Sequence, residues 1–344
     1  MKKFIALVAG CSLLFTVLTA LPSSGNEQRS QANSNRVKLE KPNNSKFHSY
    51  PPNSRENKDM RAIVDEDAQL ERLTRGLKFA EGPLWHPDGF LLFSDTQADT
   101  IYKLTSNGDR EVFRYPAGYP NGNTFDSAGR LITAQHDRRV TRTERNGKVV
   151  TLVTQYEGKK LNSPNDVVVK SDGSIYFTDP PFGIRAPYAV REEPEELGFY
   201  GVYQLTRNGR LILLVKDIML PNGLAFSPDE KKLYVTDSQE GNILVFDVKP
   251  DGTLTNKRVF ADMKVPGKQP LADGMKVDSQ GNVYSTGPEG IWVFSPQGKL
   301  LGKISLPEEP TNIAWGDRDY KTLYITTYTS VYRIRLKIPG IKTR

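Results

Sequence analysis

The chain has 344 residues, of which 37% are hydrophobic and 10% aromatic, enough to bury a substantial core in one large domain or two ordinary ones. Its formal net charge of +7 sits almost wholly at the N-terminus: residues 1–61 hold ten Lys/Arg against four Asp/Glu, leaving 37 basic and 36 acidic residues over positions 62–344. A near-neutral remainder carries no basic footprint for nucleic acid, so no nucleic-acid partner is expected.

Taken in chain order, Met1-Lys2-Lys3 is followed by an apolar run from Phe4 to Leu21 and then by Pro22-Ser23-Ser24-Gly25. A charged start, an apolar stretch and a small-residue exit predict a secretory signal peptide over residues 1–24. A single membrane anchor is the alternative, because the run approaches the ~18 apolar residues that span a bilayer. Cys11, the only cysteine, follows Val8-Ala9-Gly10 as in a bacterial lipoprotein cleavage site, although the apolar run continues past it. The protein is therefore expected to be exported, periplasmic or secreted, with lipidation at Cys11 left open. No membrane contact is expected beyond such an N-terminal anchor, and one cysteine offers the mature domain no disulfide. Residues 25–61, rich in Asn, Ser, Gln, Pro and Lys, cannot bury enough surface to offset their ordering entropy and read as a flexible tether.

From there to about residue 340 one pattern recurs six times: a short apolar strand, a Gly- or Asp-containing turn, and a second strand ending in small polar residues. The copies are EGPLWHPDGFLLFSD (81–95), NGNTFDSAGRLITAQ (121–135), NDVVVKSDGSIYFTD (165–179), NGLAFSPDEKKLYVTD (222–237), DGMKVDSQGNVYSTG (273–287) and TNIAWGDRDYKTLYITT (311–327). Their starts lie 40, 44, 57, 51 and 38 positions apart, which suits a propeller blade with loop insertions. A third alternating strand follows every copy (TIYKLT is the first) and a fourth follows five of them; the sixth lacks one. The segment QLERLTRG (69–76) has the missing pattern, so the expected fold is all-β: a six-bladed β-propeller over residues 62–340, closed by an N-terminal strand joining the last blade. A two-sheet sandwich explains neither the six copies nor the missing strand.

Aligning the copies on their turn glycines puts Glu81, Asn121, Asn165, Asn222, Asp273 and Thr311 at one equivalent position, the start of each innermost strand. In a propeller these starts ring one mouth of the axial channel, and every one carries oxygen. Carboxylate and amide oxygens suit a hard cation; calcium takes about 6–8 such ligands, whereas zinc prefers His or Cys. The chain has only three histidines, His48, His86 and His136. Calcium is thus expected at Glu81, Asn165, Asn222 and Asp273, with magnesium, manganese or, least suited to these donors, zinc as alternatives. Asn and Asp also begin strands simply because their side chains cap turns, which accounts well for Asn121 and Thr311. Glu81, directly before Gly82-Pro83, is not explained that way.

The segments EGPLW, NSPNDVVVKSDGSIYFTDPPFG (162–183), LPNGLAFSPDEKKLYVTDS (220–238), LADGMKVDSQGNVYSTGP (271–288) and TNIAWG (311–316) resemble the gluconolactonase branch of the family that also contains regucalcin, over residues 67 to 337 or so. The resemblance implies a calcium-dependent lactonase, its metal held by the residues matching Glu81, Asn222 and Asp273, with Asn165 touching metal or substrate. The signal peptide departs from the cytosolic regucalcin pattern. On this reading a small-molecule lactone such as glucono-1,5-lactone is the partner, and the protein is a monomer or weak oligomer. Asp273 is the candidate general base, and Asn165, Asn121, Asn123 and His136 are candidate substrate contacts. Asp237 is expected to bond a strand end. Pro180-Pro181-Phe182-Gly183 and the insertion 184–198 look like a lid, in which Arg185 and Tyr188 are placed to meet substrate, with an ordinary surface loop the plainer reading of those two. A calcium-containing propeller that binds a sugar or protein without turnover, a related phosphotriester or aryl-ester hydrolase, and a strictosidine-synthase-like condensing activity remain as alternatives.

Overall fold

The structure, a computed structural model, describes residues 58–342 apart from Ser106. The expected signal peptide, Cys11 and most of the expected tether lie outside the described residues. Among these residues no helix is long and apolar enough to cross a membrane.

Six four-stranded antiparallel sheets form the blades, as the six copies predict. The innermost strands are Ala80–His86, Pro120–Phe125, Val167–Val169, Pro221–Phe226, Met275–Val277 and Pro310–Gly316. The sixth blade is completed from the front of the chain: Glu71–Arg75 pairs antiparallel with Ser330–Arg335, placing Glu71 opposite Arg333 and Arg75 opposite Ser330. Arg333 Nε donates to Glu71 Oε2 at 2.8 Å across that seam. No blade is left with an open seam, so the ring has no interior edge to template aggregation.

Alternation in each strand puts one set of side chains into the wedge between neighbouring blades. The second strands of four blades repeat a tyrosine there, and Tyr176, Tyr234, Tyr284 and Tyr324 are all buried. Burying an aromatic or aliphatic side chain of this size is worth roughly 1.5–3 kcal/mol, so the stack of wedges is the principal source of stability in the absence of disulfides.

Two features were not expected. A short hairpin, Gln155–Tyr156 with Lys159–Lys160, precedes the third blade. The folded body also begins inside the segment read as tether, with a helical turn at Lys58–Arg61. Met60 is buried against the cluster holding Tyr332 and Ile334, and Lys299 Nζ meets Asp59 Oδ2 at 2.6 Å. One apolar side chain in a polar stretch is too weak a signal to reveal this docking.

At the channel mouth the blades are fastened by a second repeated device. The penultimate residue of a second strand reaches sideways to the carbonyl of the next blade's ring residue: Ser94 Oγ to Asn121 O at 2.8 Å, Thr178 Oγ1 to Asn222 O at 2.7 Å, and Thr236 Oγ1 to Asp273 O at 2.9 Å. Thr311 Oγ1 closes the circle on Ala80 O at 2.6 Å. Glycines 82, 122, 223 and 274, each directly after a ring residue, let neighbouring backbones come this close; a Cβ on Gly122 would lie 2.7 Å from Asn165 O.

Candidate active site

The ring residues stand where the innermost strands lose regular pairing. Register shifts fall between Glu81 and Leu84, between Pro120 and Asn123, and between Pro221 and Leu224, while in blades three and five the strand begins only two residues after Asn165 and Asp273. Such bulges turn side chains out of the sheet, here toward the axis. Glu81, Asn121, Asn165, Asn222 and Asp273 line one cavity of about 520 Å³, of the size that holds a small metabolite. Thr311, the sixth ring member, is not among its lining residues: its hydroxyl is used on Ala80 O and Thr326 Oγ1.

The floor of this cavity is crowded with negative charge. Glu81 is buried, its Oε2 accepting from Gly82 N at 2.9 Å and from Asn312 Nδ2 at 3.0 Å. Burial first, and the Asp166 carboxylate beside it, lift Glu81 to about 7. Asp273 is pushed well above the usual carboxylate range by burial and then by Glu81 and Asp166. The Asn222 amide bonds Asp273 on one side and donates to Ser238 Oγ at 3.0 Å on the other.

Several polar atoms here are buried without a protein partner, among them Asn121 Oδ1, Asp273 Oδ1 and both nitrogens of His136. Buried polar groups are normally satisfied, so atoms orphaned together at a concave surface point to a ligand. The donor set also fits a hard cation, because mutually repelling carboxylates gain most from one. Among the described residues no three His, Cys, Asp or Glu cluster as a metal site, so such a cation would depend on the asparagine oxygens as well.

His136 ends the second blade's second strand region and lines the cavity, buried, where desolvation holds its imidazole down at about 4, uncharged at neutral pH. Asn123 is placed differently from expectation. It faces away from the cavity, its Nδ2 donating to Gly82 O at 2.9 Å and Ser94 Oγ at 2.8 Å and its Oδ1 accepting from Thr133 at 2.9 Å. The expected substrate contact is thus corrected to a tie between blades one and two: Asn123 does not line the cavity, and both ends of its amide bond the protein. Asp237 bonds strand-end backbone as expected, accepting from the amides of Met219, Leu220, Gln239 and Glu240.

The lid segment does reach the site: Phe182, Pro187 and Tyr188 line the cavity, while Arg185 turns outward to pair with Glu195. Phe79, Tyr188 and Tyr328 meet as a continuous aromatic wall, with ring centroids 5.7 Å and 5.0 Å apart.

A layer beneath the ring escaped sequence reasoning. Where four blades have glycine after the ring residue, blade three has Asp166 and blade six has Asn312. Asp166 is 2% exposed and faces Lys276 Nζ at 3.8 Å. The signal was present as Asn-Asp and Thr-Asn in register with Asn-Gly and Asp-Gly.

The chain matches the family model SMP-30/Gluconolactonase/LRE-like region over residues 79–329. It is 34% identical over 305 residues to a gluconolactonase of Zymomonas mobilis, covering 81% of this chain and 84% of that protein. Among solved structures it superposes on a Xanthomonas campestris gluconolactonase with a TM-score of 0.75 at 36% identity, covering 82% of this chain and 93% of that one. A calcium-binding regucalcin of Agrobacterium tumefaciens shares the fold, with a TM-score of 0.67 at 18% identity over 79% of this chain and 95% of that one. With the whole propeller matched in sequence and in shape, the chain belongs to the SMP-30/gluconolactonase family.

Proposed function

We propose that this protein is a calcium-dependent hydrolase of sugar lactones, opening a ring such as that of glucono-1,5-lactone to the aldonic acid. The observation that carries this reading is the meeting of Glu81, Asn121, Asn165, Asn222 and Asp273, drawn from five blades, at the floor of one cavity. The gluconolactonases of Zymomonas mobilis and Xanthomonas campestris support the activity, and the calcium-binding regucalcin relative supports the choice of cation.

Glu81, Asn165, Asn222 and Asp273 would hold a calcium ion, whose charge would supply polarisation of the lactone carbonyl. Asp273 takes a proton from water as the water oxygen bonds to the carbonyl carbon. The same proton is returned to the ring oxygen as the carbon–oxygen bond of the lactone breaks, leaving a carboxylic acid and a hydroxyl; the acid then ionises and gives its proton to solvent. Burial and the neighbouring Glu81 and Asp166 carboxylates raise the Asp273 carboxyl, which strengthens it as a base. His136, neutral and with both nitrogens free, hydrogen-bonds a sugar hydroxyl, as does Asn121 through its free oxygen. The aromatic wall packs against the apolar face of the ring.

The reading is tested by following proton release from glucono-1,5-lactone against a protein-free blank, with calcium and with a chelator. Turnover that appears with calcium and disappears with chelator is the expected result; rates equal to the blank across a panel of five- and six-membered sugar lactones reject it. The proposal extends to an exported protein, periplasmic or secreted, processed near residue 24, which the mass of the mature N-terminus from fractionated cells checks.

A further inference from the structure

The cavity wall above the carboxylates has an unusual composition for a site that handles an acid product. No lysine or arginine is among its described lining residues. Its polar positions are amides and hydroxyls, including Gln97, Gln239, Gln269 and Ser238, and the rest is largely aromatic or aliphatic. The one titratable base, His136, is uncharged at neutral pH because of its burial.

The basic side chains on and around the lid are turned to other work. Arg185 pairs with Glu195, Arg191 with Asp137 and Glu193 at 3.4 Å each, and Arg138 with Glu193 at 2.9 Å. The acidic run Glu192-Glu193-Pro194-Glu195-Glu196 thus supplies partners for the cations of its own neighbourhood. Beneath the ring, Lys276 faces Asp166 from the far side of the floor. With calcium offsetting Glu81 and Asp273, the lined space holds no uncompensated positive charge.

We propose that this cavity selects lactones without an ionised substituent, and that the cation-free wall of amides and aromatic rings is the determinant. The inference rests on the lactonase reading and narrows its substrate class. A phosphate, sulfonate or second carboxylate on the sugar would leave water for a wall with no lysine or arginine to receive it, the proposed calcium being already offset by Glu81 and Asp273, and a buried charge without a partner is costly. A neutral polyhydroxy ring loses little, since the amides replace its hydrogen bonds to water. The same wall favours turnover, because hydrolysis creates a carboxylate that nothing on the wall retains.

Initial rates with calcium are compared for glucono-1,5-lactone and its 6-phosphate. The expected kcat/KM is at least about a hundredfold lower for the phosphate, chiefly through KM. Gln239→Arg and Gln269→Arg, both at exposed positions of the wall, are expected to narrow that ratio by about tenfold or more, whatever either does to the rate on the neutral substrate. Equal kcat/KM on the two lactones overturns the proposal, as does an unchanged ratio in both arginine variants. Absence of turnover on either lactone strikes the lactonase reading instead. Selection is then read from binding alone, using calorimetry of 1,5-anhydroglucitol and its 6-phosphate: weaker binding of the phosphate sustains the proposal, and equal or tighter binding overturns it.

Discussion

Gly223→Ala places a methyl group where blades four and five touch at the ring of the channel mouth. A Cβ there would lie 2.8 Å from Gly274 Cα and 3.0 Å from Met275 N, with the Asp273 carbonyl oxygen closer still. All three are backbone atoms, so no side chain can swing aside, and the strands carrying Asn222 and Asp273 must part by about half an ångström or more to reach ordinary contact. Overpacking of this kind costs about 1–3 kcal/mol, and a domain of this size loses about 2–4 °C of Tm per kcal/mol. The expected result is a Tm lower by roughly 3–10 °C. Calcium affinity should fall by about tenfold or more, because ligand distances tolerate only about 0.2 Å. Gly209→Ala is the control: its φ of +85° makes alanine strained, yet a Cβ there meets nothing within 4 Å. It should lower Tm modestly and leave calcium binding intact. Thermal unfolding and calorimetric titration of the two variants decide the matter. A Gly223→Ala protein with unaltered Tm and calcium affinity, or one indistinguishable from the control, refutes the close-contact account of the ring.

Calcium affinity should weaken as pH falls through about 7, where Glu81 takes up a proton that the cation must displace. In chelator the effect on stability has the opposite sign. The unfolded chain releases that proton near 4.5 and the folded chain only near 7, so metal-free protein loses stability as pH rises across this window; titrations and melts at about pH 6 and about pH 8 check both, and pH-independent calcium binding removes Glu81 from the ligand set. Asp273→Asn should abolish turnover yet melt no lower than the parent in chelator, because it deletes a carboxylate that its surroundings resist ionising; near-normal turnover ends its role as base. Asp237→Ala leaves the amides of Met219, Leu220, Gln239 and Glu240 without their acceptor and should destabilise the fold by about 2–4 kcal/mol in denaturant titration; a change below about 0.5 kcal/mol contradicts the clamp.

The fold was legible because each blade repeats the same alternation, and six aligned copies average out the ambiguity of any single strand. The ring was legible for the same reason: register carries Glu81, Asn222 and Asp273 to one level without knowledge of a single contact. What register could not show is direction within that level. Asn123, two residues past the ring position, belongs to the same stretch of strand as Asn121, yet the bulge between Pro120 and Asn123 sends its amide into the seam between blades. Thr311 holds a ring position and spends its hydroxyl on closure. Conversely Asp166 meets Lys276, and Asn312 meets Glu81, only through contacts between different blades, which no local pattern encodes. The docking of Met60 belongs to the same class, one buried side chain in a segment whose average composition is that of a solvated chain.

The seam between the first and last blades brings together groups separated by most of the polymer: the Asn312 amide reaches Glu81, and Thr311 reaches Ala80, each across 231 positions. During synthesis, a ribosome must therefore finish the final repeat before the anionic floor acquires its full set of neighbours. On the calcium reading proposed above, capture of the ion would be a late event in biogenesis, one that rewards completed circles over truncated or misjoined ones and gives a cell a chemical readout of finished molecules.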